Sequence, residues 1–395
     1  MMLSARKKLG ILQLKVQRNR NTVNWILSTY LFFVAMQLTT WLPLRYWAAW
    51  GGGNFLDTWQ VLKYADCYKL IHNDVYLSQG SCPGYLYGRP LLQFLNFFGI
   101  EQSDSKVVGF ILMFMVSLIF GWLYKSTDDK SIRYLLALIV VSPPVLLLVE
   151  RGNVDILIAF LVILACHLFL RDMKYYAYLL IGLTIIFKFY TAPVLVIFLL
   201  LDKKHRTRAF GTLLLIFSTY SAARDIRMTQ TPYPNGAPAQ FGASVWGKYL
   251  DLTDKMWFTS TIPLAIDFGF FLGAIIAVVL IMKFTNQDLL ERKFTPVPSS
   301  QIVFLAISSI HVACFFLGTS FDYRLIYLII ATLLGSKVGI LTPIAVRASL
   351  INLLVCLYFS YPSGGLQPIG DFLIEIQTVV LALVSLRVLV NTIKS

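Results

Sequence analysis

Residues 51–90 read GGGNFLDTWQVLKYADCYKLIHNDVYLSQGSCPGYLYGRP. The stretch follows one apolar span and precedes a long series of others. Connections between membrane helices are usually only about 2–8 residues long, so a loop of this length is not a mere connector. It carries three aspartates, two cysteines, a histidine and many aromatics and glycines. Long loops beside a rigid body are where binding and catalysis concentrate. The stretch therefore reads as the functional face of a membrane-embedded body, with Asp57 as its candidate base.

The rest of the chain supplies that body. Its 395 residues are 57% hydrophobic and 14% charged, with a mean hydropathy of +0.69. A soluble domain is typically about 45–50% apolar and about 25% charged. Apolar runs of roughly 15–22 residues recur along the chain, long enough to cross or nearly cross a bilayer core. They are continuous rather than alternating, which argues against a β-barrel. The predicted fold is all-α: a polytopic membrane protein of about 11–12 transmembrane helices, with short re-entrant helices and external interfacial helices. No soluble domain or internal repeat interrupts it, so residues 1–395 read as one integral-membrane domain.

The formal net charge of +14 reads as topology rather than as a nucleic-acid footprint, and no nucleic acid is expected as a partner. Lys and Arg crowd into short loops, among them Lys125–Lys130–Arg133, Arg171–Lys174 and Lys203–Lys204–Arg206–Arg208. These fall on one side if the spans alternate, and the positive-inside rule makes that side cytoplasmic. Residues 1–22 are then a basic cytoplasmic N-terminus, not a cleaved signal. Residues 50–105 form a first external loop and residues 222–261 a second. The expected location is the inner or plasma membrane, with the working face toward the periplasm or exterior. Cys166, Cys314 and Cys356 sit in apolar spans as small core residues. Cys67 and Cys82 share the external loop, where a disulfide suits an oxidising compartment. No zinc-ligand spacing is present.

Taken in order, a first span covers about residues 23–47, its outer end rich in Trp and Tyr as in an interfacial belt. Residues 55–71 predict an interfacial helix with Asp57 near its start, where unpaired amides favour a carboxylate. Asp57 and Asp66 are nine apart and so fall on opposite faces of that helix. Residues 90–100 are a further short apolar segment. Spans are predicted at about 106–124, 134–149 and 156–170. Residues 175–201 have basic flanks at both ends, are too few for two crossings, and are interrupted by Lys188-Phe189-Tyr190-Thr191-Ala192-Pro193. They predict a hairpin of two short helices with Lys188 at its tip. Non-helical backbone at that depth is tolerated where it is buried in protein or lines a wet cavity. Further spans are predicted from 208 to 220 and at about 262–282, 301–317, 324–334, 338–359 and 371–390.

Ionisable residues within or flush with spans are costly and usually face a cavity or a partner. Glu150-Arg151, Lys188 and Asp322-Tyr323-Arg324 are the informative ones, and the topology brings all three to the outer side. They supply cations beside carboxylates at the depth of a lipid phosphate. Each also has a structural reading. Glu150 with Arg151, and Asp322 with Arg324, would serve as interfacial ion pairs; Lys188 would snorkel to the headgroups; Asp57 would cap its helix.

Four short motifs follow one another along the first half of the chain. Asp57 opens the external loop and is followed by Asn73-Asp74-Val75-Tyr76. Next come Tyr85-Leu86-Tyr87-Gly88-Arg89-Pro90, then Arg151-Gly152-Asn153-Val154-Asp155, then Lys188 to Pro193. In order and rough spacing they resemble the GT-C glycosyltransferases, and most nearly the bacterial polyprenol-phosphate-mannose-dependent α-mannosyltransferases. Asn153 and Asp155 stand where that family more commonly has Gln and Asn, and Gly88-Arg89 replaces its first Pro, which leaves the sugar and the acceptor open. The resemblance implies a polyprenyl-monophosphate sugar as donor and a lipid-linked or glycan acceptor, with membrane lipids around both. It implies inversion, with Asp57, or alternatively Asp66, as base. Arg151, Lys188 and Arg324 would bind the donor phosphate. Trp59, Tyr64, Tyr85, Tyr87, Arg89, Glu150, Asn153, Asp155 and Asp322 would line the substrate. No cofactor is implied, and a good phosphate leaving group makes a metal optional. Two other readings compete with this one. A polymerase or ligase acting on lipid-diphosphate glycans usually relies on Arg and His in a late external loop, and the second loop here holds Arg224 and Arg227 but no His. A transporter or flippase of lipid-linked sugars would be expected to show charges at the midplane and repeated halves.

Overall fold

A computed structural model of the protein describes residues 2–38, 55–71, 89–127, 129–228, 240–241, 272–273, 298–316, 320–338, 341, 346–347, 349–351, 353–354 and 367–394. Within these it is an all-α membrane protein. The helices are α1 (Met2–Leu38), α2 (Leu56–Ile71), α3 (Arg89–Phe97), α4 (Ser105–Ser126), α5 (Lys130–Val140), α6 (Pro143–Arg151), α7 (Asp155–Leu170), α8 (Lys174–Phe187), α9 (Ala192–Leu201), α10 (His205–Met228), α11 (Pro298–Phe316), α12 (Ile326–Lys337) and α13 (Gln367–Lys394). Two helical stretches are long and apolar enough to cross a membrane, Gln102–Ser126 and Phe372–Ile393. Five shorter apolar helices stand with them. Most of the expected spans at 262–282 and 338–359, and most of residues 222–261, lie outside the described residues.

Local chemistry sets the helix ends. Asp129 caps α5: its side chain accepts hydrogen bonds from the N–H groups of Ser131 and Ile132, satisfying donors the first turn leaves open. A span was expected over residues 134–149. The structure has two helices there, α5 and α6, which together are long and apolar enough to cross but are bent by 48°. The break falls at Ser142, ahead of Pro143 and Pro144, because proline disfavours helical backbone in the residue before it. α10 runs on to Met228, eight residues past the expected end at 220. The interfacial helix expected at 55–71 is α2, and the short segment expected at 90–100 is α3. The hairpin expected at 175–201 is α8 and α9 joined by a 3-10 turn, Phe189–Thr191, with Lys188 extended between them. Thr184 Oγ1 lies 3.1 Å from Thr191 Oγ1 and closes the hairpin.

Small residues let the helices approach. A Cβ on Gly121 of α4 would lie 2.2 Å from Ile26 of α1, and Trp25 stacks on Tyr124 at 4.7 Å in the same contact. Gly182 of α8 and Gly211 of α10 admit Leu214 and Tyr178 in the same way. α11 runs centrally, against α7, α9, α12 and α13. Gln240–Phe241 pairs antiparallel with Ser320–Phe321, Gln240 opposite Phe321. This ties residues 240–241 to the residues just before Asp322.

The chain direction defines two ends. α6 ends at Arg151 and α7 begins at Asp155; α8 ends at Phe187, just before Lys188, and α12 begins just after Arg324. At the far ends of these helices, and of α5 and α9, stand Lys130, Arg171, Lys174, Lys203 and Lys337. α7 alone separates the two by about 24 Å at 1.5 Å per residue. A cavity of about 290 Å³ lined by Ser126, Thr127, Asp129, Ile132, Leu333, Ser336 and Lys337 opens at the basic end, so it is remote from the residues that the motifs single out.

Candidate active site

The site is built on the turn between α6 and α7. Gly152 ends α6 in the left-handed conformation at φ +56°, which glycine adopts without a steric penalty. The turn reverses the chain and leaves Arg151, Asn153 and Asp155 within five residues of one another. Against it docks the start of α2. Phe55, itself at φ +60°, donates its N–H to the Glu150 carbonyl at 2.6 Å. Its ring fills a notch over Gly109, where a Cβ would meet ring carbon at 2.3 Å. Thr58 Oγ1 donates to the Gly152 carbonyl at 2.5 Å. These contacts carry Asp57 to the turn.

Asp57 is then held from one side. Arg151 Nε donates to Oδ1 at 2.7 Å, and a terminal guanidinium nitrogen reaches the same oxygen at 2.6 Å. Asn153 Nδ2 donates to Oδ2. A carboxylate offers about four lone-pair positions, so these three donors leave about one available among the described contacts. The pair is largely but not wholly covered, at 13% side-chain exposure for Asp57 and 20% for Arg151.

A second, deeper tier lies behind it. Asp155 is wholly buried. Its Oδ1 accepts from Lys188 Nζ at 2.6 Å and from the Tyr190 hydroxyl, and its Oδ2 accepts from Arg324 Nε at 3.2 Å. Tyr327 donates its hydroxyl to the Asp155 carbonyl at 3.2 Å. The Arg324 guanidinium lies 5.1 Å from the Tyr190 ring centre, a cation–π approach that helps hold a desolvated cation. Asn153 links the tiers: its Oδ1 accepts from the Asp155 N–H at 2.9 Å and from Lys188 Nζ at 3.4 Å, while its amide nitrogen faces Asp57. The carbonyl oxygen is claimed by two donors, so the amide can present only N–H groups to the carboxylate.

The structure thus brings Asp57, Arg151, Asn153, Asp155, Lys188 and Arg324 into one hydrogen-bonded array. Glu150 is buried in the same turn, and its carbonyl takes the Phe55 N–H. Asp66 is not in the array. Its carboxylate accepts from the Gln102 N–H at 3.1 Å and lies 3.7 Å from Lys69, which also reaches Glu101. It fastens the far part of α2 to the turn before α4. Trp59 is partly exposed, with Lys63 Nζ 5.2 Å from its ring centre, and Tyr64 packs against the core. Arg89 begins α3. Tyr85 and Tyr87 lie outside the described residues, as does the side chain of Asp322. Cys67 is disulfide-bonded; Cys82, its expected partner, lies outside the described residues.

One structural reading changes. Lys188, read as a cation that would snorkel to the headgroups, is buried and paired with Asp155. Arg324 reaches Asp155 across the fold; whether it also meets Asp322 falls outside the described residues. Sequence reasoning gave no role to Tyr190, Tyr327, Thr58 or Phe55. Tyr327 had a signal, since it lies three residues from Arg324 and so on the same helical face. Tyr190 lay inside a quoted motif, but only the hairpin's closure aims its hydroxyl at Asp155. Among the described residues no cluster of His, Cys, Asp and Glu is arranged to hold a metal.

A buried carboxylate–cation array thus stands at one end of an all-α membrane bundle. Residues 85–294 match the sequence model of glycosyltransferase family 87. That is more than half of the chain, and the protein belongs to that family: it is a membrane glycosyltransferase. Neither a curated protein nor a solved structure matches the chain. The match takes in the 151–155 turn and the Lys188 hairpin, whereas Asp57 and Arg324 lie on either side of it.

Proposed function

We propose that the protein transfers a hexosyl residue, mannosyl by the family resemblance, from a polyprenyl-monophosphate sugar to a lipid-linked or glycan acceptor. The arrangement is read as GT-C-like, with the array facing the periplasm or exterior. The observation that carries this reading is the array itself. Four segments distant in sequence place one accessible carboxylate beside three cations, at the end of the bundle opposite the basic loops. The positive-inside rule puts those loops in the cytoplasm, which leaves the array outside, where a lipid-linked donor rather than a nucleotide sugar is the fitting substrate.

Asp57 accepts the proton of the acceptor hydroxyl as its oxygen attacks the anomeric carbon, with inversion. Arg151 and Asn153 orient the carboxylate for that transfer. Lys188 and Arg324, with Arg151 nearer the surface, stabilise the charge that develops on the departing phosphate, which is where fixed cations act most strongly. No cofactor enters this scheme. Transfer from a synthetic polyprenyl-phosphate mannose in liposomes tests it. Asp57→Asn should lower turnover by about 10²–10⁴-fold, and Asp66→Asn should retain most of it. Loss with Asp66→Asn and retention with Asp57→Asn would reverse the assignment.

A further inference from the structure

Asp155 stands between the two cations assigned above to the donor phosphate. Lys188 and Tyr190 share its Oδ1, and Arg324 takes its Oδ2. Its own backbone is held as well, the carbonyl by Tyr327 and the N–H by Asn153. A carboxylate pinned from three elements cannot swing away when a ligand arrives. The charge it removes from the pair is therefore constant. Lys188 and Arg324 with Asp155 carry one net positive charge where the two cations alone would carry two.

That difference matters because transfer changes the charge of the ligand. The acceptor oxygen bonds to the anomeric carbon, the bond from that carbon to the phosphate oxygen breaks, and its electron pair stays on the phosphate. The acceptor proton passes to Asp57. A phosphodiester donor with one negative charge becomes a phosphomonoester carrying about 1.5–2 at neutral pH. Without that carboxylate the two cations, in a buried setting, would hold this product more tightly than the donor, and turnover would stall at release.

We propose that Asp155 is a positioning residue that also sets the site for product release: it fixes Lys188 and Arg324 beside the scissile phosphate and halves their joint charge, so that the dianionic lipid phosphate leaves. This rests on the lipid-phosphate reading given above.

The test compares donor and product on the purified full-length protein in detergent. The probes are a short-chain prenyl phosphate, titrated calorimetrically, and the corresponding prenyl-phosphate mannose in steady-state kinetics. The energy of the Asp155 carboxylate with a ligand scales with ligand charge. If Asp155→Asn tightens the donor about tenfold, it should tighten the product by up to about a hundredfold. The donor KM and kcat should fall together, with a burst of first-turnover product. A merely structural role moves affinity the other way. Arg324→Gln, alone and combined with Asp155→Asn, keeps the test independent of the single variant's folding. The double variant should bind the prenyl phosphate more tightly than Arg324→Gln alone. Wild type that binds prenyl phosphate, with carboxylate-free variants binding it no more tightly, overturns the role of Asp155 and leaves the lipid-phosphate reading standing. Wild type that neither binds the prenyl phosphate nor uses the donor overturns both.

Discussion

Gly152→Ala tests the joint on which Asp57 is mounted. At φ +56° any Cβ is strained, and for an L-residue the left-handed conformation costs about 1–2 kcal/mol. The added Cβ would also lie 2.5 Å from Thr58 Oγ1 and 3.0 Å from Phe55 Cδ1. Phe55 has no room to retreat, because its ring already occupies the Gly109 notch and its N–H is bonded to Glu150. Thr58 must therefore move, and its bond to the Gly152 carbonyl is worth about 1 kcal/mol. With the displacement of packed neighbours added, a destabilisation of about 3–4 kcal/mol is expected, in line with overpacked buried sites. Asp57 precedes Thr58 and would be carried with it, and a shift of about 1 Å at a reacting group can cost about 10²-fold in rate. Thermal unfolding in detergent and sugar transfer from a lipid-phosphate donor read the two effects. Thr58→Ala combined with Gly152→Ala should recover part of both, since it removes the nearest clashing atom. A Gly152→Ala protein with wild-type stability and turnover would refute the argument, as would a double variant no better than the single.

Other outcomes follow from particular contacts. Lys188→Ala should weaken folding as well as donor use, because it strips one of two cations from a wholly buried carboxylate. Arg324 and Tyr190 remain, so the loss should fall below the roughly 3–5 kcal/mol of a fully unpaired buried charge; an unchanged unfolding midpoint would contradict the pairing. Burial pushes the Asp202 carboxyl up, but hydrogen bonds from Lys174, Thr207, the Lys204 N–H and Tyr178 outweigh it and hold the group below its usual range. A depressed carboxylate stabilises the fold above its unfolded value of about 3.9 and loses that contribution as pH falls through the folded value. Asp202→Asn should therefore lower the unfolding midpoint at neutral pH and flatten its fall below about pH 4; equal acid slopes for both proteins would exclude this role. Cysteines introduced near Asn73 and Thr127 test orientation. Impermeant reagent on intact cells should label the first site and not the second, and the reverse pattern would invert the topology.

Much of the scaffold is legible in one dimension because it depends on local properties. Continuous apolar runs declare helices in a membrane, and clustered Lys and Arg declare a side. Proline, glycine and a too-short span declare breaks, and the Lys188 hairpin was readable from length alone. The span expected at 134–149 left its bend unread, because apolarity runs on through Pro143 and Pro144, whereas backbone sterics act on the single residue before them.

The site divides differently. The sequence alone determined which residues were worth watching: Arg151, Lys188 and Arg324 stand out as charges flush with apolar spans, which must find partners to be tolerated there, Asp57 opens the long loop, and Asn153 and Asp155 enter through the motif resemblance. Who pairs with whom was decided only by the tertiary structure. Arg324 reaches Asp155, Arg151 crosses to Asp57, and Asp66 takes the Gln102 N–H, each a partner far along the chain. Pairing energy in a low-dielectric interior depends on distances of a few ångströms between side chains. Those distances are set by how α2, the 151–155 turn, the hairpin and α12 pack, and no spacing along the chain encodes them.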